Sequence, residues 1–190
     1  KYKINKNFFL LPNHYWIHKN HSIVLVTLNY IKKKNFIIVS TGQCYDHRDP
    51  SYFKTFEKKI HKLKLQNFYK IIGIVSFEDL CSLIYNSLGV INPSVSEGFP
   101  NSADQANLLG KIAILSNIDV NLEEKKKNYF FFNPRSYKQL AQLLIKKSKI
   151  SKFSKKSKIN NSFLEKKYID KYQNFILKNF MQNLFFFDFS

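Results

Sequence analysis

The stretch Asn92 to Ala106, NPSVSEGFPNSADQA, concentrates side chains able to handle a polar, anionic ligand. Glu97 is a lone carboxylate on a Gly-containing turn, Glu97-Gly98-Phe99-Pro100, and Asn101 and Ser102 follow where capping side chains are expected. A helix start offers unpaired backbone N–H groups and the positive end of its dipole, which suits a phosphate. A carboxylate beside it suits sugar hydroxyls, and Asp104 and Gln105 add groups that can hydrogen-bond a ribose. The same residues also read as an ordinary turn and cap, so the run alone leaves both readings open.

Other chemistry-bearing residues form weaker patterns. His14, His18 and His21 lie close together, but they straddle a loop without a Cys or acidic partner nearby, which argues against a metal-binding set. Cys44 neighbours Asp46 and His47, yet a loop thiol among polar residues is more commonly structural than nucleophilic. Trp16 reads as a packing anchor for its loop. Glu123-Glu124 ahead of three lysines reads as a solvated charge pattern.

Short apolar runs alternate with helical patterns over most of the chain. The expected strands are Phe8 to Leu11, Phe36 to Val39, Tyr69 to Val75, Leu88 to Asn92, Ile112 to Leu115 and Phe130 to Phe132. Between them the spacing predicts helices over Lys19 to Lys33 (apolar side Ile23, Val24, Val26, Thr27, Ile31), Pro50 to Leu65, Phe77 to Tyr85 and Asn101 to Leu109. A last one starts at Ser136. Strands that are continuously apolar, each followed by a helix, indicate a parallel sheet covered on both faces, a doubly wound α/β domain. Ligands in such folds bind where the strands end at their carboxyl side. Pro12–Lys19, Thr41–Arg48, Gly73–Phe77, Pro93–Ser102 and Ser116–Glu124 are therefore the segments to watch.

Length and composition bound the rest. The chain has 190 residues, 44% of them hydrophobic and 16% aromatic, enough for a buried core. Two cysteines are too few for a disulfide framework, and no apolar run approaches the ~18 residues of a membrane span. With 31 basic against 13 acidic residues the net charge is +18, which favours an anionic partner. Twelve of the basic residues and no acidic one fall between Lys125 and Leu164. The domain organisation expected is a doubly wound, Rossmann-like α/β lobe over 1–147, a Lys/Ser-rich connector over 148–160 and a C-terminal helix and tail over 161–190. The connector could attract anionic lipid headgroups. Lys1 opens the chain and Met181 is its only Met, so a piece of a longer protein is expected, in a reducing, cytoplasmic compartment.

The run PSVSEGFPNSADQANLLGKIAILSNI resembles the signature region of the retaining, nucleotide-sugar-dependent glycosyltransferases of the family 4 type, built from two Rossmann-like lobes. FFLLPNHYWIHKNH, Thr41-Gly42, Asp46, Arg48-Asp49-Pro50, Ile71-Ile72-Gly73 and Phe132-Asn133-Pro134 follow the same family order, so the resemblance spans about residues 7 to 147. It implies the C-terminal, donor-binding lobe of such an enzyme: a six-stranded Rossmann-like sheet that holds a UDP- or GDP-sugar without a metal ion or further cofactor. The acceptor, a saccharide or a lipid-linked one, would be held by an N-terminal lobe outside this chain, in surface polysaccharide or lipopolysaccharide assembly.

By the same resemblance Glu97 contacts the donor sugar hydroxyls and Lys19 the diphosphate. The turn from Gly98 through Phe99 to Asn101 and Ser102 meets sugar and phosphate, and the loop of Gly73 and Val75 meets the base. The sequence departs from the family pattern at three places. Gln105 replaces the usual second acid, with Asp104 one position earlier; Asn13 and His14 stand where many members carry an Arg, so that cation is either lost or replaced by a protonated His14; and Pro100 removes an N–H from the turn. The competing readings are a basic Rossmann-like module for an anionic membrane or nucleic acid, and a nucleotide-sugar epimerase. Nucleic acid is not the expected partner, because the basic residues concentrate outside the strand-exit loops.

Overall fold

A computed structural model describes residues 2–123 and 125–150. Six parallel strands form one sheet: β1 (Phe8–Pro12), β2 (Ile37–Thr41), β3 (Tyr69–Gly73), β4 (Val90–Asn92), β5 (Ala113–Ser116) and β6 (Tyr129–Phe132). Their spatial order is β3-β2-β1-β4-β5-β6, so the chain winds outward in one direction from β1, returns, and winds outward in the other from β4. Connecting helices are α1 (His21–Tyr30), α2 (Tyr52–Lys62), α3 (Phe77–Asn86), α4 (Asn101–Leu108), α5 (Asp119–Glu123) and α6 (Tyr137–Ile150). This is the doubly wound α/β architecture expected from the alternating runs.

The central strands are buried along almost their whole length, as a sheet with helices on both faces requires. Phe9, Leu11, Ile38, Ile91 and Ile114 join α1, α2 and α6 residues in one core. Burying each such aliphatic side chain contributes about 1.5–3 kcal/mol. Aromatic edges organise one side: Phe9 meets Phe36 edge-on at 5.2 Å, and Phe56 lies against Tyr15, His21 and Tyr69.

Several boundaries differ from the sequence expectation, each for a local reason. The first helix begins at His21 rather than Lys19, because Ile17–Lys19 form a 3-10 turn and Asn20 takes left-handed backbone angles, φ 54° and ψ 38°. Its amide group compensates by donating to the carbonyls of Pro93 and Pro134, at 3.1 and 3.0 Å. Val26, expected on the apolar side, is exposed, whereas Leu25 and Leu28 are buried because α1 packs against both the sheet and α6. The second helix stops at Lys62, two residues before Lys64 turns left-handed.

α3 is capped as its sequence suggests, with the Ser76 hydroxyl accepting from the Asp79 N–H at 3.2 Å. α4 is not: Pro100 occupies the cap position, and neither Asn101 nor Ser102 caps through its side chain. The predicted domain boundary at 147 falls inside α6, which runs to Ile150. The rest of the Lys/Ser connector and the C-terminal helix expected over 161–190 lie outside the described residues.

Candidate active site at the strand-order reversal

The strand order reverses between β1 and β4, and at their carboxyl ends the loops part to leave a cleft of about 340 Å³. That volume lies at the small end of ligand pockets. Its walls come from four of the five segments singled out in the sequence: Pro12 to Lys19, Thr41-Gly42, Ile74-Val75 and Glu97 to Gln105, with Asn92 and Leu80 between them. Of the fifth segment, Asp119–Glu123 form α5, and none of its described residues lines the cleft.

Tight contacts between loops shape this mouth. Gly42 has φ +123°, and a Cβ there would stand 2.6 Å from the carbonyl oxygen of Asn13, so only glycine lets the β2 exit lie against the β1 exit. The Gly42 N–H donates to Gly73 at 2.8 Å and the Tyr15 N–H to Gln43 at 2.9 Å, which joins the first three strand exits. On the other side of the reversal the Val95 N–H donates to the His18 carbonyl at 2.8 Å. With Asn20 holding Pro93, this brings the 3-10 turn and the Glu97 loop together.

The consequence is an ion pair between residues 78 positions apart: Lys19 Nζ lies 2.5 Å from Glu97 Oε2, with side chains only 13% and 7% exposed. The second carboxylate oxygen, Oε1, accepts from the Ser94 hydroxyl at 2.6 Å. Ser102, in the first turn of α4, lines the same cleft. Its hydroxyl is buried and has no hydrogen-bond partner among the described residues. Asn13 is buried and donates to Asn92 Oδ1 at 3.2 Å, tying the two central strand ends together.

His14 is more exposed and takes a defined tautomer. Its Nδ1 accepts from the Gln43 backbone N–H at 2.8 Å, so the proton of the neutral ring sits on Nε2. Burial, and then the Lys19 charge, hold its pKa below the ordinary histidine value. His14 lines the cleft, and its lowered pKa disfavours the protonated form, the second of the two alternatives for the missing arginine. Beneath it His21 is fully buried, and desolvation pushes its pKa down to about 3. Its Nε2 lies 3.1 Å from the His14 carbonyl, which can only accept, so Nδ1 is the acceptor for the Tyr69 hydroxyl at 3.1 Å. Tyr69 continues through Tyr15 to Ser40, a buried polar chain that supports the β1 exit from below.

Trp16 both packs and lines the cleft. His14 and His18 tilt against its ring at 4.9 and 5.6 Å, and the Arg48 guanidinium lies 5.3 Å from its centroid. Arg48 is itself held by Asp46 through bonds of 2.9 and 3.1 Å, which keep the Asp46 carboxyl below its ordinary range. Cys44 sits near this loop, and burial raises its thiol pKa, the opposite of an activated nucleophile.

Of the residues expected at the site, Lys19, Glu97, Asn13, His14, Val75, Phe99, Asn101, Ser102 and Gln105 share the cleft. Gly73 stands just outside it and acts through its carbonyl, and Gly98 is an exposed part of the turn between two lining residues. Asp104 corrects the expectation. Its carboxylate points away and is buried against Tyr129, whose hydroxyl donates at 2.6 Å, and against the Lys126 ammonium. The helical turn that puts Ser102 and Gln105 on the cleft side puts Asp104 on the other. Ser94 and Asn92 were not singled out; the hint lay in their position between β4 and the Glu97 turn.

The reversal-point cleft thus brings a lysine, a carboxylate and a helix start together on a Rossmann-like lobe. The chain belongs to the glycosyl transferases group 1 family, whose model matches residues 1–162. No curated protein matches it at the sequence level. Its fold is similar to that of the glycosyltransferase from Rickettsia africae ESF-5, with 23% identity, a TM-score of 0.74 and coverage of 94% of this chain and 47% of that one. Anabaena Alr3699/HepE, solved in complex with UDP-glucose, shares 19% identity at a TM-score of 0.70, over 78% of this chain and 40% of that one. The lipopolysaccharide outer core galactosyltransferase WaaB, in its apo form, shares 16% at 0.64, over 94% and 51%. The chain therefore spans about half the length of these structures.

Proposed function

We propose that this lobe binds a nucleoside-diphosphate sugar, UDP- or GDP-linked, as the donor half of a retaining glycosyltransferase. The observation that carries the reading is the meeting of Lys19, Glu97 and the unpartnered Ser102 hydroxyl in one cleft at the strand-order reversal. Lys19 and the α4 N-terminus face the diphosphate, where negative charge grows as the glycosidic phosphate bond breaks, and fixed positive groups there lower the barrier. Glu97 accepts from the sugar hydroxyls. The loop of Ile74 and Val75 covers the base, and Gln105 reaches the ribose.

A second lobe, outside this chain, would hold the saccharide or lipid-linked acceptor and complete the cleft, as the half-length match to the solved structures suggests. Lipopolysaccharide assembly is a fitting pathway, since one similar structure acts on the outer core. The reading sets the protein in the cytoplasm at the inner membrane face, with the Lys-rich segment toward anionic lipid. No helix among the described residues is long and apolar enough to cross a membrane.

Calorimetric titration of the chain with UDP-glucose and with GDP-mannose tests the proposal. Saturable one-site binding of one of them is expected. Failure of both to bind, with tight binding of nucleic acid instead, would overturn it.

A further inference from the structure

We infer that Ser94 is a positioning residue that fixes the direction of the Glu97 carboxylate, and with it the recognition of the sugar part of the donor; the inference rests on the donor-lobe reading above. Ser94 is fully buried, one residue beyond Pro93 at the exit of β4. Its hydroxyl oxygen lies 2.6 Å from Glu97 Oε1 and 2.7 Å from Asn92 Oδ1. A hydroxyl has one proton to give, so it serves one of these oxygens.

Asn92 Oδ1 already accepts from the Asn13 amide at 3.2 Å and from the Ser94 backbone N–H at 3.3 Å, whereas Lys19 serves only the Oε2 side of Glu97, at 2.5 Å. The Ser94 proton therefore goes to Glu97. Each oxygen of the Glu97 carboxylate thus has its own donor, Ser94 at Oε1 and Lys19 at Oε2.

The backbone at Ser94 is held as firmly as its side chain. Its carbonyl accepts from the Ser116 hydroxyl, and Ser116 is gripped by the buried Asn121 amide, which donates to its carbonyl at 2.8 Å and lies 3.3 Å from its hydroxyl. Neighbouring atoms are fixed too, by Asn20 on the Pro93 carbonyl and by the Val95 N–H on the His18 carbonyl. Glu97 itself lies on an exposed turn between Ser96 and Gly98. Without the Ser94 hydroxyl, its carboxylate keeps Lys19 as its remaining partner among the described residues and is free to swing with that long side chain.

The test separates the sugar from the nucleotide. The affinities of wild type, Ser94→Ala and Glu97→Ala are measured for UDP-glucose and UDP, and for GDP-mannose and GDP. In Ser94→Ala the ratio of nucleotide-sugar to nucleotide affinity is expected to fall at least fivefold, close to its value in Glu97→Ala. Affinity for the free nucleotide should stay within twofold of wild type. In the double variant no further loss is expected, because Ser94 acts through Glu97. Should Ser94→Ala fail to fold, Ser94→Cys, which fills the space with a slightly larger and weaker donor, decides with an intermediate ratio expected. A wild-type ratio in a folded Ser94 variant, or an equal loss for nucleotide and nucleotide-sugar, overturns the role of Ser94. If the wild type binds none of the four probes, the donor-lobe reading itself fails.

Discussion

The Lys19 ammonium and the Glu97 carboxylate meet at 2.5 Å across the line where the sheet reverses its strand order, although each belongs to a different half of the winding. Lys19 enters from the β1 side and Glu97 from the β4 side. Each satisfies the other's charge, and both side chains are largely desolvated. A diphosphate sugar can take over both contacts at once, with phosphate replacing carboxylate for the lysine and hydroxyls replacing ammonium for the glutamate.

This arrangement predicts a split between variants. Lys19→Met should weaken UDP and UDP-glucose alike, by roughly 10- to 100-fold, the scale of a charged hydrogen bond worth about 1.5–3 kcal/mol. Glu97→Gln should weaken UDP-glucose but leave UDP nearly unchanged. Calorimetry on the two variants with both ligands distinguishes these patterns, and loss of UDP binding in Glu97→Gln would contradict the assigned roles.

Asp104 should prove structural. Removing it leaves Lys126 and the buried Tyr129 hydroxyl without their carboxylate, so Asp104→Ala is expected to cost about 3 kcal/mol of stability. Donor affinity should change less than twofold. A denaturation curve and a titration on the same variant check both halves.

Much of this was legible in the chain. The alternation of apolar runs and helical spacings specified the parallel sheet, and the Glu97 turn announced itself by placing a carboxylate, a glycine and two small polar residues before a helix. What remained hidden depended on which way a side chain turns once the helix is seated. Asp104 and Gln105 are adjacent, and only the seating of α4 on β4 and β5 decides which of them meets the cleft. Val26 was misplaced for a related reason: α1 is covered on two sides, so its burial does not follow one stripe. His21 was illegible as a support because its partner Tyr69 meets it only through tertiary packing, and Ser94 because the bend of its loop, not the short spacing to Asn92 and Glu97, decides where its hydroxyl turns.

Gly42→Ala should be damaging out of proportion to its size. The new Cβ meets the Asn13 carbonyl carbon and oxygen, and the left-handed backbone adds strain of about 1–3 kcal/mol. Because Gly42 lies between the β1 and β3 exits, a loss of stability and a loss of UDP affinity are expected together. Thermal denaturation alongside titration reads both; an unchanged affinity would show that the strand exits do not act as one unit.

Buried His21 gives stability a pH dependence. With its pKa near 3 in the folded protein and near 6.5 when unfolded, the unfolded chain binds the extra proton in between. Stability from this group is therefore complete above about pH 6.5 and lost progressively as pH falls toward 3, with a limiting slope of about 1.4 kcal/mol per pH unit. Urea midpoints at pH 7 and pH 5 should fall more steeply for wild type than for His21→Gln, whose amide can still donate and accept. Equal slopes would show that His21 is not held neutral.

The most direct test of the donor-lobe account is a residue-resolved NMR titration of the chain with UDP-glucose and GDP-mannose. The account predicts saturable shifts at Lys19, Val75 and the amides of Gly98 to Ser102, all around one cleft. Shifts confined to the lysine-rich segment from Lys125 onward, or shifts there with anionic vesicles or nucleic acid and none at the cleft with either sugar nucleotide, would contradict it.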